Sequence, residues 1–227
     1  MRLLLFLAVI ALVSALPTLW IRTVLRRHGR ERADIPRTGG EAARSMLDRL
    51  GLAHVRVEPT ELGDHYDPED KAVRLSTSHF DTRSLAAVVV AAHEVGHAMQ
   101  DATGYMPLRV RTRFARQAAM LEKAGIILML AAPLAMVALP SRIGIFVGLA
   151  LGLFVLGLPI LMHAATLPME YDASFGRAVP LLKSGRYVAE KDLPAARSLL
   201  HAAAFTYVAA AAFSVLNIAR WLRVLRF

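Results

Sequence analysis

Cysteine is absent from this chain of 227 residues. The chain therefore has no disulfide framework and no thiolate metal site, so any bound metal must be held by histidine and carboxylate side chains. Acidic residues are also scarce: 18 stand against 27 basic residues, which gives a net charge of +9. Aromatic residues make up 7% of the chain, and no nucleic-acid motif accompanies the positive charge. We therefore expect no nucleic-acid partner.

Apolar sequence, in contrast, is abundant. Hydrophobic residues make up 56% of the chain, and the mean hydropathy of +0.44 is too high for an ordinary soluble domain. Four stretches lack Asp, Glu, Lys and Arg and approach the roughly 20 residues that cross a bilayer: Leu3 to Ile21, Ala124 to Ser141, Ile143 to Met169 and Ser198 to Ala219. The fourth stretch also carries polar residues, so it could lie partly in a site or at an interface.

The first apolar stretch has two interpretations. A basic residue, an apolar run and Val13-Ser14-Ala15 are compatible with a cleavable signal peptide. However, the apolar character continues to Ile21, and a cluster of arginines follows between Arg22 and Arg32. Such a cluster resists translocation, which favours an uncleaved membrane anchor with its basic flank in the cytoplasm. We therefore predict a multi-pass protein of the cell membrane whose functional site faces the cytoplasm.

The stretches between the apolar runs predict a small unit of mixed secondary structure. The apolar spacing indicates a helix over Glu41 to Leu50, and alternation indicates strands at Val55 to Val57 and Ala72 to Leu75. Residues 64–70 are rich in turn formers. A mostly apolar helix follows, which should begin near Thr82 to Ser84 and end near Gly104.

This apolar helix contains the sequence H-E-x-x-H. Because His93 and His97 are four residues apart, both imidazoles lie on one face of a helix and can bind a single metal ion. Glu94 is rotated toward the flank of that face, where it can reach a water molecule without binding the metal. Two imidazoles, an open position and an adjacent carboxylate are typical of zinc hydrolases. The alternative is an amphipathic helix that carries these residues by chance.

A catalytic zinc ion needs a third protein ligand. We predict Glu170, because Pro168 suits the start of a helix and Glu170 would point from its first turn. Glu122 and Asp172 compete for this role. Glu122 is better placed for a surface ion pair, and Asp172 for accepting a hydrogen bond from a ligand histidine. Three further polar residues are expected in turn or capping roles: His65, His79 and Asp81.

These residues carry a resemblance to a known family. The stretches H-E-V-G-H-A-M-Q, G-D-H-Y-D-P and L-P-M-E-Y-D-A-S resemble the YugP-type family of membrane zinc metallopeptidases, from about residue 39 through the last apolar stretch. The resemblance implies that His93, His97 and Glu170 bind one zinc ion per chain. It also implies that Glu94 is the general acid/base of a gluzincin-like catalytic unit.

A more distant resemblance concerns the segment that begins at Glu170. It is similar to the E-x-x-A-D segment of the HtpX and CAAX-prenyl membrane peptidases. The chain departs from that pattern at Ser174, where those families have an aspartate. The resemblance therefore does not extend to a carboxylate at this position.

The predicted fold class is a mostly α integral membrane protein. We expect about four membrane helices and a small α+β, zincin-like catalytic unit that carries the HExxH helix. The predicted parts are a membrane anchor (1–21), the catalytic unit (22–123), a transmembrane helical hairpin (124–169), a segment that completes the site (170–197), and a membrane helix with a basic tail (198–227).

The function predicted from these features is that of a membrane-embedded zinc metallopeptidase. Its partners would be the lipid bilayer and a peptide or membrane-protein substrate. The alternative is a non-catalytic membrane scaffold or chaperone-like protein with a structural metal site, although such sites normally have four protein ligands. A peptidase also needs a group that stabilises the oxyanion, and the sequence does not rank the candidates: Tyr171, Arg197, His201 and Tyr207.

Overall fold

The computed structural model describes residues 16, 19–114 and 166–224, with side chains described up to residue 209. Residues 19–28, 106–114 and 166–171 are helical in addition to the elements named next. The elements in chain order are α1 (Gly39–Arg49), β1 (Arg56–Thr60), β2 (His65–Asp67), β3 (Ala72–Ser76), α2 (Thr77–Phe80), α3 (Leu85–Ala102), a π-helix (Asp172–Ala178), α4 (Val179–Ser184), a 3₁₀ turn (Glu190–Asp192) and α5 (Leu193–Val224).

Helix α1 begins at a capping box. The hydroxyl of Thr38 accepts a hydrogen bond from the Glu41 amide at 3.2 Å, and the Glu41 carboxylate accepts one from the Thr38 amide at 2.8 Å. These two bonds satisfy amides that the first helical turn leaves unpaired. Gly51 follows the helix with a φ of +71°, a left-handed conformation that suits glycine. The predicted helix is therefore confirmed, with a start two residues earlier.

The sheet has the strand order β1-β3-β2, with β3 in the centre. Strand β1 pairs with β3 in parallel, with Val57 opposite Val73, and β2 pairs with β3 in antiparallel, with Tyr66 opposite Val73. The strand predicted at 72–75 is confirmed, and the strand predicted at 55–57 is found one residue later and extends to Thr60. Strand β2 lies inside the segment predicted as turn-rich. Three residues are too few to show alternation in the sequence, so the pairing with β3 decides this conformation.

Helix α3 carries the HExxH sequence through the centre of the described structure. It begins after Ser84, whose hydroxyl accepts a hydrogen bond from the Ala87 amide at 3.1 Å, and Gly104 with a φ of +66° follows its end. Its first eight residues are almost entirely buried. Both predicted boundaries are confirmed. The helix is thus fixed at its start and packed on several sides, which gives a rigid support for the site.

The π-helix lies directly against α3 at Gly96. A Cβ atom at this position would lie 2.6 Å from the carbonyl oxygen of Ala173, closer than side-chain carbons approach backbone oxygens. Glycine therefore permits the contact between the two backbones. This contact brings residues 170–174 next to the histidines of α3. Single π turns are frequent at functional sites because they change which residues face a neighbouring element.

The predicted fold class needs correction. Among the residues whose side chains the structure describes (16, 19–114 and 166–209), no helix is both long and apolar enough to cross a membrane. The prediction of about four membrane helices is therefore wrong for this part of the chain. The fourth apolar stretch belongs to α5, and Leu199 and Leu200 near its start are buried in the protein core. Their apolar character serves packing against the protein, which hydropathy alone does not distinguish from packing against lipid.

Other predictions fall on residues that the structure does not describe. The first three apolar stretches lie outside the described ranges except at their ends, and so do the hairpin at 124–169 and the competing ligand Glu122. The sheet and α3 do form a small α+β unit around the HExxH sequence. The division of the chain into five parts stays a prediction.

The contact at Gly96 leads to a testable expectation. Gly96→Ala should lower the free energy of unfolding by about 1–3 kcal/mol, because the new methyl group must displace the Ala173 backbone. In a helix without such a contact, replacing Gly by Ala raises the free energy of unfolding by up to about 1 kcal/mol. The sign of the change in this free energy is therefore the test, and thermal or urea unfolding measures it. A variant at least as stable as the wild type would contradict the close contact.

Candidate metal centre

His93, His97 and Glu170 converge although α3 and the segment before the π-helix are distant in sequence. The Glu170 Oε2 atom lies 3.1 Å from His93 Nε2 and 3.5 Å from His97 Nε2. The two imidazole rings meet edge to face, with centroids 4.7 Å apart. The three potential ligand atoms all lie within 4.8 Å of one another. These side chains could therefore hold one metal ion together.

The three residues are largely shielded from solvent. Glu170 and His97 are 4% and 7% exposed, and His93 is half-buried. Burial alone would raise the pKa of Glu170, but hydrogen bonds to the two histidines hold it below its usual range. Burial alone would lower the pKa of His97, but the carboxylates of Glu170 and Glu94 raise it. The buried carboxylate thus requires a positive charge beside it, which a protonated imidazole or a metal cation can supply.

Each histidine is oriented through its other ring nitrogen. The Nδ1 atom of His93 lies 3.0 Å from the Ser174 hydroxyl, and Nδ1 of His97 lies 3.0 Å from the side-chain oxygen of Gln100. In the neutral tautomer in which each Nδ1–H group donates to its partner, the Nε2 lone pair of each ring is available to bind a metal ion. This arrangement is the one that proteins use to fix the tautomer of metal-binding histidines.

Gln100 connects α3 to the segment that supplies Glu170. Its fully buried amide group donates hydrogen bonds to the Met169 carbonyl and to Asp172 Oδ2, both at 2.8 Å. Asp172 also accepts a bond from Arg177 Nε at 2.8 Å. One side chain therefore orients a candidate ligand on α3 and holds the residue next to Glu170 in place.

The predicted role of Asp172 needs correction. The sequence predicts that Asp172 accepts a hydrogen bond from a ligand histidine. In the structure the side-chain oxygen of Gln100 contacts His97, and Asp172 accepts a hydrogen bond from the Gln100 amide group instead. Sequence reasoning missed Gln100, although its position three residues after His97 places both on one helix face. Ser174 occupies the place of the aspartate in the E-x-x-A-D pattern, and its hydroxyl orients His93.

Glu94 lies beside this cluster on α3. Its side chain is buried, and burial raises the pKa of its carboxyl group. The negative charges of Glu170 and Asp64 add to this increase, whereas the two histidines oppose it. Glu94 is thus close enough to interact with all three cluster residues without being one of the converging ligands.

The other polar candidates have local roles, as expected. His65 Nδ1 lies 2.8 Å from the Gly63 carbonyl, and His79 Nδ1 lies 2.8 Å from Asp64 Oδ2. Asp81 is the C-terminal cap of α2. None of the three belongs to the described cluster of potential metal ligands.

Comparison with known proteins identifies the family. The chain matches, over residues 3–226, the family described as "Putative neutral zinc metallopeptidase". It is also 32% identical, over 206 residues, to the "Putative membrane protease YugP" of Bacillus subtilis (strain 168). That alignment covers 90% of this chain and 88% of the relative. The chain belongs to the neutral zinc metallopeptidase family. No solved structure shows a significant match.

The potential ligands in this member of the neutral zinc metallopeptidase family are of the types that bind zinc. Two imidazole nitrogens and one carboxylate oxygen are a typical set of three protein ligands at catalytic zinc sites. The structure brings together the three residues that the sequence singled out, His93, His97 and Glu170. Their role as zinc ligands stays a prediction.

Removing the carboxylate at position 170 tests that prediction. Glu170→Gln should weaken zinc binding at least about 100-fold, because a neutral amide replaces the one anionic ligand. Asp172→Asn is the matched control, since Asp172 touches Gln100 rather than a candidate ligand atom. It should weaken zinc binding by no more than about 10-fold. Competition with a chromogenic chelator measures both affinities, and equal losses would contradict the assignment of Glu170.

Proposed function

We propose that this chain is a zinc-dependent metallopeptidase that hydrolyses peptide bonds. The observation that carries the proposal is the convergence of His93, His97 and Glu170 beside Glu94. Membership of a zinc metallopeptidase family supports the same conclusion. A cluster of three ligands favours catalysis, because structural zinc sites are normally closed by a fourth protein ligand.

The two histidines and Glu170 would hold the zinc ion. When bound, zinc polarises a carbonyl group and lowers the pKa of a water molecule toward neutrality. The contribution of the chain is to orient these ligands through Ser174 and Gln100. It also excludes water from the buried side of the site, which strengthens the local electrostatic interactions.

Glu94 is the proposed general acid/base. Its carboxylate takes a proton from the attacking water as the water oxygen bonds to the carbonyl carbon of the scissile peptide. It then delivers this proton to the nitrogen of the leaving amine as the carbon–nitrogen bond breaks. Glu94 suits this task because it is next to a candidate ligand in sequence but does not take part in the ligand cluster.

We further propose that the chain acts at a membrane, on a peptide or membrane-protein substrate. The name of the Bacillus subtilis relative describes that protein as a membrane protease. The mean hydropathy of +0.44 supports membrane association here as well. The cytoplasmic position of the site stays a prediction. The lipid bilayer would thus be a partner of the chain, whereas nucleic acid would not.

Membrane association is testable by fractionation of cells that produce the full chain. The chain should sediment with membranes and remain there after washing with high salt, because apolar contacts are not screened by ions. Immunodetection of the membrane and supernatant fractions measures the distribution. Quantitative release by salt would contradict the proposal.

Glu94→Gln tests the peptidase activity itself. The variant should bind zinc in the same 1:1 ratio as the wild type, because Glu94 is not one of the clustered ligands. Its kcat should fall by at least about 100-fold, since an amide cannot accept the proton of the attacking water. Zinc content and cleavage of a fluorogenic peptide library are measured on the same preparation.

A matched control is Glu190→Gln, which makes the same chemical change at an exposed residue. This control should keep full activity. If the Glu94→Gln preparation also cleaved peptides at the wild-type rate, the general-base assignment would be wrong. The alternative of a scaffold with a structural metal site would require that the wild type itself, fully loaded with zinc, cleaves no peptide.

A further inference from the structure

Several large hydrophobic side chains of the described structure stay exposed, and most of them lie near one another. Five are at least 40% exposed and belong to the helix at residues 19–28, to α5 or to the segment next to the metal centre: Leu19, Trp20, Tyr171, Phe205 and Val208. Single exposed hydrophobic residues are common on soluble proteins, but a contiguous group of them marks a surface that a partner covers.

Ring contacts make this group continuous. The rings of Tyr171 and Phe175 have centroids 4.8 Å apart, and the centroid of Phe175 lies 4.3 Å from that of His201. His201 and Phe205 are four residues apart on α5, so they lie on the same helix face. Phe205 then meets Trp20 of the helix at 19–28 edge to face, with centroids 5.7 Å apart. We call these five residues the aromatic surface.

The aromatic surface begins at the candidate metal centre. Tyr171 directly follows Glu170, and the two side chains have opposite environments: Tyr171 is exposed, whereas Glu170 is buried against His93 and His97. One short segment therefore supplies a candidate metal ligand on its inner side and the first ring of the aromatic surface on its outer side. Whatever covers the aromatic surface lies beside the metal centre.

The other end of the aromatic surface is positively charged. Arg22, Arg26 and Arg27 follow Trp20 in the same helix, and all three are exposed. In the part of the chain that the structure describes, no acidic side chain forms an ion pair with them. Exposed tryptophan beside arginine is typical of proteins at a membrane–water interface, where the indole lies among the head groups and the guanidinium binds phosphate.

Charge also distinguishes a lipid partner from a second copy of the chain. The chain carries a net charge of +9, so a second copy would add positive charge next to the exposed arginines. An anionic phospholipid surface supplies the opposite charge along its whole extent, together with an apolar layer below the head groups for the aromatic rings.

We propose that the aromatic surface docks on the head-group region of an anionic phospholipid bilayer. This inference deepens the function proposed above and rests on it. Docking places the metal centre next to the bilayer, so the substrates are segments of membrane proteins that lie close to the lipid head groups. No helix needs to cross the bilayer for this contact, because an amphipathic surface can lie in the plane of the interface.

The absence of cysteine makes a direct test possible, since one introduced cysteine carries the only label. Phe205→Cys places a fluorophore in the aromatic surface. Leu62→Cys is the matched control: Leu62 is also an exposed hydrophobic residue, but it lies in the loop after β1 and takes part in none of the ring contacts. The full chain is bound to vesicles of phosphatidylcholine and phosphatidylglycerol that contain lipids with a nitroxide close to the head group.

The label at position 205 should lose about half of its fluorescence to the nitroxide lipids, because a docked residue lies within about 10 Å of the head groups. The label at position 62 should keep its fluorescence. Equal quenching at the two positions, or none at position 205, would overturn the proposal. A label at position 205 that is shielded from iodide in water but not quenched by the lipids would also overturn it, because a protein partner would then cover the surface.

The role of the arginines is tested with vesicles of phosphatidylcholine alone. Quenching at position 205 should become about twofold weaker than with phosphatidylglycerol, because the cationic helix no longer meets anionic lipid. Equal quenching in both kinds of vesicle would overturn the requirement for anionic lipid.

The consequence for substrates is tested with one peptide sequence, either free or attached to a lipid anchor in the vesicles. Phe205→Glu should lower kcat/KM for the anchored peptide about tenfold and leave kcat/KM for the free peptide within about threefold of the wild type, because a charge disfavours docking. Leu62→Glu is the control and should behave as the wild type with both peptides. An equal loss for both peptides, or no loss for either, would overturn the proposal.

These measurements separate failure of this inference from failure of the proposed function. A zinc-loaded wild type that cleaves no peptide would contradict the peptidase function, and the labels would still report whether the aromatic surface meets lipid. An active wild type whose label at position 205 stays open to water on the vesicles would overturn the docking and leave the peptidase function standing.

Discussion

The buried carboxylate of Glu170 is the constraint on which the rest of this structure depends. A carboxylate that is 4% exposed must be compensated, and the two imidazoles on α3 provide the compensation. The same opposition of charge makes the cluster suitable for a divalent cation, which can replace a proton between carboxylate and imidazole. The electrostatic requirement of the fold and the chemical requirement of the proposed function are therefore met by the same three side chains.

This carboxylate is held in place by backbone packing and by hydrogen bonds from residues outside the cluster of candidate ligands. Gly96 allows the backbone of the π-helix to approach α3, and Gln100 ties α3 to the Met169 carbonyl and to Asp172. The π-helix then presents Ser174 to His93. Each contact is modest in free energy, but together they fix the distance between two segments that are far apart in sequence. Precise positioning of this kind is what a metal centre requires of its supporting residues.

The predictions from sequence succeeded where local physics decides the structure. The helix at 41–50, the start of α3 near Ser84 and its end near Gly104 could be predicted because each depends on neighbours within a few residues. Strand β2 was missed because it depends on pairing with β3. The prediction of membrane helices was wrong in the described ranges for a related reason. Hydropathy counts apolar residues such as Leu199 but does not say whether protein or lipid covers them.

The sequence by itself determined that His93 and His97 lie on one helix face with Glu94 beside them, because a fixed spacing of four residues has one geometric consequence on an α-helix. It also selected Glu170 from the carboxylates that follow. The tertiary structure alone decided that Glu170 reaches those histidines and that Gln100 rather than Asp172 orients His97. These are contacts between segments separated by tens of residues. Their geometry depends on how whole helices pack, and no local pattern encodes that.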